Sequence, residues 1–123
     1  MIFTNTNKEI TLIYNSEEHV GRQMLANALS EKITVHDIDL KHIKLTPTQW
    51  ASLASQLNTD ISNLIDTKSP HFLKKFGQVE DLTSQDWLSL LAHNPEILKA
   101  PIVLKGSKIS MLTDPEDLLY FLK

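Results

Sequence analysis

A chain of 123 residues with 41% apolar and 22% charged side chains has the size and composition of one soluble globular domain with a single core. Twelve Lys and Arg against fifteen Asp and Glu leave a formal charge of −3, and the cations are scattered singles apart from Lys74-Lys75, so no basic stripe points to nucleic acid. Zero cysteines exclude disulfides, thiol redox chemistry, thiolate nucleophiles and cysteine-ligated metals within this chain.

No apolar run approaches the roughly 18 residues of a membrane span, and Met1 to Lys8 lacks the apolar stretch of a signal peptide, so no membrane partner is expected and the expected location is cytoplasmic. Residues 1–8 read as a polar lead-in, or at most a short edge strand at Ile2-Phe3. The run Ile10-Thr11-Leu12-Ile13-Tyr14 then predicts a buried strand, ended by Asn15-Ser16. Val20, Met24, Leu25, Ala28 and Leu29 recur at helical spacing and predict a helix after it. In open α/β sheets such a turn lies at the carboxyl end of a strand and at a helix N-terminus, where backbone N–H groups and the helix dipole favour an anion or a thiolate.

Ile33-Thr34-Val35-His36-Asp37-Ile38 alternates with period two and is rich in β-branched residues, a second strand. Following a helix, it completes a right-handed βαβ unit with parallel strands. Thr46-Pro47-Thr48-Gln49 is a helix start, with Thr46 as cap, Pro47 at the first helical position and Gln49 closing a capping box. Trp50, Leu53, Ala54 and Leu57 share the apolar face of that helix. A short helix capped by Asp60 follows, with Ile61, Leu64 and Ile65 on one face; Ser69-Pro70 opens another, which ends at Gly77. Thr83 caps the next helix with Asp86 three residues on; Trp87, Leu90 and Leu91 are expected inward, and His93-Asn94-Pro95 ends it. Ile102 to Lys105 and Lys108 to Leu112 flank Gly106-Ser107, a hairpin with a type II′ turn. Asp114-Pro115-Glu116-Asp117 is expected to start the last helix.

The order β-α-β, several helices, β-β, α is an α/β plan of the thioredoxin-like kind: one four-stranded mixed sheet, a helical insert at about residues 46–93, and a single domain over residues 1–123. Segments Leu64-Ile65-Asp66-Thr67-Lys68-Ser69-Pro70-His71-Phe72, Leu82-Thr83, Asn94 through Val103, Asp114-Pro115-Glu116 and Ile13-Tyr14-Asn15-Ser16 carry a resemblance to the arsenate reductase and Spx-type regulator family over about nine-tenths of the chain. The resemblance implies the thioredoxin-like fold and a glutaredoxin-related chemistry resting on a reactive cysteine in the first turn. Spx regulators use a Cys-x-x-Cys pair there as a redox switch and bind RNA polymerase.

Aligned on Ile13-Tyr14, the two cysteine positions fall at His19 and Arg22. The family's arginine after the insert is matched by Lys68, which keeps the charge without the planar fork. Its arginine before the proline is replaced by Ala100, and a third falls near Thr113. Arsenate reduction needs a thiolate to bond arsenic, and no imidazole runs a dithiol–disulfide cycle, so no catalytic residue is expected and the chain reads as a pseudoenzyme.

The candidate ligand residues are Asn15, Ser16, His19, Arg22, Lys68 and Pro101. His19 and Arg22 would make a cationic pocket at the helix start, with Lys68 converging on it; the competing reading makes His19 a solvated turn residue and pairs Arg22 with Glu18. Pro101 occupies the place of the cis-proline that thioredoxin-like folds hold opposite the active turn, or only shapes the entry to a strand. His36, His42, His71 and His93 show no close ligand pairing, so neither a metal nor any cofactor is expected. His36-Asp37-Ile38-Asp39 reads as the polar end of the second strand. The function expected is a redox-inactive binding or regulatory module with a protein partner. The alternative is a protein binding a small anion or glutathione-like thiol, or an enzyme working with an external thiol.

Overall fold

The computed structural model describes residues 9–123, so the expected lead-in or edge strand at Ile2-Phe3 lies outside the described residues. Among the described residues two compact units are present: residues 9–43 with 100–123, and residues 44–99.

The first unit holds the sheet. Strands β1 (Glu9–Tyr14), β2 (Thr34–Asp39), β3 (Ile102–Lys105) and β4 (Lys108–Met111) lie in the order β2-β1-β3-β4. β1 runs parallel to β2, with Ile10 opposite Val35 and Tyr14 opposite Asp39, and antiparallel to β3, with Ile13 opposite Ile102. This is the mixed, thioredoxin-like sheet that the order of elements predicts. Residues 10–14 are all buried, as the near-continuous apolar run of a central strand requires. Ile10, Leu12 and Tyr14 face α1 (His19–Ser30), and form a cluster with Met24, Ala28, Val103, Leu118 and Phe121. At the hairpin, Gly106 adopts φ 60° while Ser107 keeps a negative φ, the combination a type II′ turn needs.

The last helix, α5, spans Asp117–Leu122 and starts later than the sequence suggests. Asp114 accepts the Glu116 N–H through its carboxylate and the Asp117 N–H through its carbonyl, each at 3.0 Å, so residues 114–116 form a tight turn that leads into the helix.

The second unit contains α2 (Pro47–Gln56), a 3-10 turn at Ile61–Leu64, α3 (Pro70–Phe76), α4 (Ser84–His93) and a 3-10 turn at Pro95–Ile97. Both expected capping boxes are present: Thr46 with Gln49, and Thr83 with Asp86. Ser69 caps α3 through the Phe72 N–H, whereas Asp60 makes no side-chain cap. Gly77 closes α3 at φ 70°. α4 differs from expectation in its facing. Leu88, Leu91 and Ala92 are buried, while Trp87 and Leu90 are half-buried against Phe72 and beside Phe76, where two grooves open. Among the described residues no helix is long and apolar enough to cross a membrane.

Candidate functional site

β1 delivers the chain at Tyr14 into the turn that starts α1, and this turn is tied internally at each step. Asn15 accepts the Glu17 N–H through Oδ1 at 2.9 Å and the Glu18 N–H through its carbonyl at 3.0 Å. Ser16 donates its N–H to the Asp39 carboxylate at 3.0 Å. Arg22, one helical turn on, donates from Nη1 to the Ser16 carbonyl at 2.9 Å. The Ser16, Glu17 and Glu18 N–H groups are therefore satisfied from within the chain, while the first amides of α1 receive no side-chain cap.

Asp39 is the residue that the sequence reading left in the strand. Parallel pairing sets it opposite Tyr14, and it accepts from Ser16 and from the Lys41 N–H at 3.1 Å. Burial works to raise its pKa, but the hydrogen bonds from Ser16 and Lys41 and the nearby His42 outweigh that and hold it below 3.8. Asp37, two residues back on the same face, accepts from the Tyr14 hydroxyl at 3.2 Å. Burial first, then the charges of Asp37 and Asp39 and that hydrogen bond, push the Tyr14 hydroxyl up to about 12. The signal for this network was available: Asp37 and Asp39 alternate onto one face, and a βαβ unit sets that face beside the first turn.

His19 is exposed on the first turn of α1, and Glu18 before it supplies no side-chain cap. Asn15, Ser16 and Arg22 are thus brought together, as bonds that fix the turn. The carboxylates nearby have partners of their own: Glu17 lies 3.7 Å from Lys41 Nζ, Asp39 accepts from Ser16, and Asp37 accepts from the Tyr14 hydroxyl. Gly21 lets the helix press onto the strand end: a Cβ there would meet the Asn15 carbonyl oxygen at 2.9 Å.

Ala100 and Pro101 are buried at the head of β3, and the register carried on from Ile102 puts Pro101 opposite Tyr14. The Ala100–Pro101 bond is trans, which departs from the cis-proline implied by the resemblance. The Pro101 carbonyl accepts from Leu112 at 2.9 Å, tying β3 to the end of the hairpin. Thr113 is exposed beyond it. Lys68 belongs to the other unit. It is exposed at an open groove of about 550 Å³ with Asn63, Phe72, Glu80 and Trp87. Among the described residues no three His, Cys, Asp or Glu side chains gather as a metal site would require.

Among the described residues the turn brings together hydroxyls, an exposed imidazole and carboxylates, and no hydrogen bond joins Ser16 Oγ to His19. Comparison with known proteins shows where the architecture comes from. The ArsC family model matches residues 6–121. A global transcriptional regulator Spx of Streptococcus pyogenes is 25% identical over 92 residues, covering 71% of this chain and 69% of the regulator. An arsenate reductase from Vibrio cholerae superposes with a TM-score of 0.80 at 17% identity, over 95% of this chain and 99% of that one. An arsenate reductase related protein from Brucella melitensis gives a TM-score of 0.65 at 13% identity, over 98% and 99%.

Proposed function

The chain belongs to the ArsC family, and we propose that within it the chain is a thiol-free, non-catalytic binding or regulatory module. One observation carries this reading: the sequence holds no cysteine at any position, so the sulfur–arsenic and sulfur–sulfur bonds of reductase or redox-switch chemistry have no atom to form on. The closed turn supports it. The Ser16 and Glu17 amides are taken by Asp39 and Asn15, and Arg22 gives one N–H to the Ser16 carbonyl.

Likeness to a transcriptional regulator supports a protein as the partner, reached from the soluble, cytoplasmic side. No basic stripe favours direct nucleic-acid contact. The competing function, a small anion or glutathione-like thiol held at His19, Arg22 and Lys68, requires those cations to be available together. Arg22 is already bonded in the turn.

Titration with glutathione, arsenate, phosphate and sulfate, followed through the amide shifts of residues 16–22, 68 and 100–102, separates the two. No saturable shift at millimolar ligand is expected. Localised, saturable shifts at the turn would overturn the proposal and establish a ligand site.

A further inference from the structure

The end of the chain carries a feature that neither the family nor the turn accounts for. α5 is six residues long, too short to hold helical structure by itself, and its last carbonyls have no partner inside the helix. Two of them are taken by ammonium groups from the β3–β4 hairpin. Lys105 Nζ donates to the Leu122 carbonyl at 2.7 Å, and Lys108 Nζ donates to the Phe121 carbonyl at 2.6 Å. Lys108 Nζ also stands 4.8 Å from the centre of the Phe121 ring. Cations at a helix C-terminus are favoured by the dipole, so both lysines stabilise the helix only while charged.

The rest of the attachment is apolar. Leu118 and Phe121 are the buried anchors, Leu122 is half-buried, and Leu119 and Tyr120 face outward. The approach to the helix is pinned by one side-chain bond, from Asn27 Nδ2 to the Pro115 carbonyl at 3.3 Å.

We propose that α5 is a releasable strap, locked onto the sheet by the charges of Lys105 and Lys108. The strap contributes Leu118 and Phe121 to the cluster that also holds Leu12, Met24 and Val103. Losing either charge frees the carbonyls it holds, and any change at Nζ that removes the charge acts in the same way. The inference is independent of the function proposed above.

Amide hydrogen exchange on the full chain tests it. In a Lys105→Met, Lys108→Met double variant, the amides of residues 118–122 exchange at least about tenfold faster than in the wild type, as loss of two charge-assisted bonds requires, while β1 and β3 stay protected. Lys105→Arg, Lys108→Arg retains the charges and the protection. Lys41→Met, which removes a charge paired with Glu17 at 3.7 Å and not with α5, leaves the exchange unchanged. The proposal falls if the methionine variant exchanges like the wild type, if β1 and β3 lose protection equally, or if arginine fails to substitute.

Discussion

Tyr14 and Asp39 face each other across the first two strands, and opposite pH dependences meet at this pair. The Tyr14 hydroxyl, raised to about 12, keeps its proton in the folded state where the unfolded chain gives it up. Its contribution is therefore complete below pH 10 and is lost as pH rises toward 12. Tyr14→Phe removes that loss and costs about 1 kcal/mol at neutral pH for the bond to Asp37. Urea unfolding of both proteins between pH 7 and about 11.5 checks it. Asp39, held below 3.8, works the other way: its contribution is complete above the unfolded pKa and disappears as pH falls through the folded value. Asp39→Ala is expected to cost about 1–3 kcal/mol at neutral pH, a difference that shrinks in acid below about pH 4. Gly21→Ala tests close packing alone. Its Cβ must displace a backbone oxygen 2.9 Å away, so about 1–3 kcal/mol of destabilisation is expected from overpacking, despite the better helix propensity of alanine.

Among elements, the helices of the second unit were the most legible, because their starts are written in local chemistry. Thr46-Pro47 with Gln49, and Thr83 with Asp86, name their own backbone partners within four residues. Thr46→Ala and Thr83→Ala should each cost about 1 kcal/mol, read as lowered denaturant midpoints with unchanged slopes. The hairpin was legible from Gly106-Ser107 for the same reason. Local rules misled where two of them competed: Asp114-Pro115 looks like a cap followed by a first helical residue, yet Asp114 closes its own turn. Trp87 and Leu90 fit a helical period, but which side of α4 is covered depends on tertiary neighbours that periodicity does not name. Asp39 was missed because its role arises across strands, with Ser16, 23 residues away in sequence. Lys32, at φ 58° after α1, is a left-handed position held by a non-glycine residue. Lys32→Gly should raise stability by up to about 1 kcal/mol, measured as a higher melting temperature.

For the whole molecule, the absence of cysteine makes two further outcomes specific. With glutathione and glutaredoxin the expected rate of arsenate reduction is that of the protein-free mixture, and the expected thermal midpoint is the same under reducing conditions and in oxidised glutathione. Either turnover or a thiol-dependent midpoint would contradict the pseudoenzyme reading.

The sheet order also has a consequence for how the chain is made. β1 pairs with β2 after a short crossover, but its other edge pairs with β3, and Ile13 meets Ile102 only after the intervening chain has been synthesised. Residues 44–99 form a contiguous unit with all of its own contacts to hand, whereas the sheet unit is split around them. Closing that long loop has an entropic cost before β3 returns any pairing, so the second edge of β1 is the late event in folding. In pulsed hydrogen exchange during refolding, amides of α2 and α4 gain protection before those of β3. On the ribosome, β1 emerges well before β3, and the apolar edge that β3 covers waits for it until then.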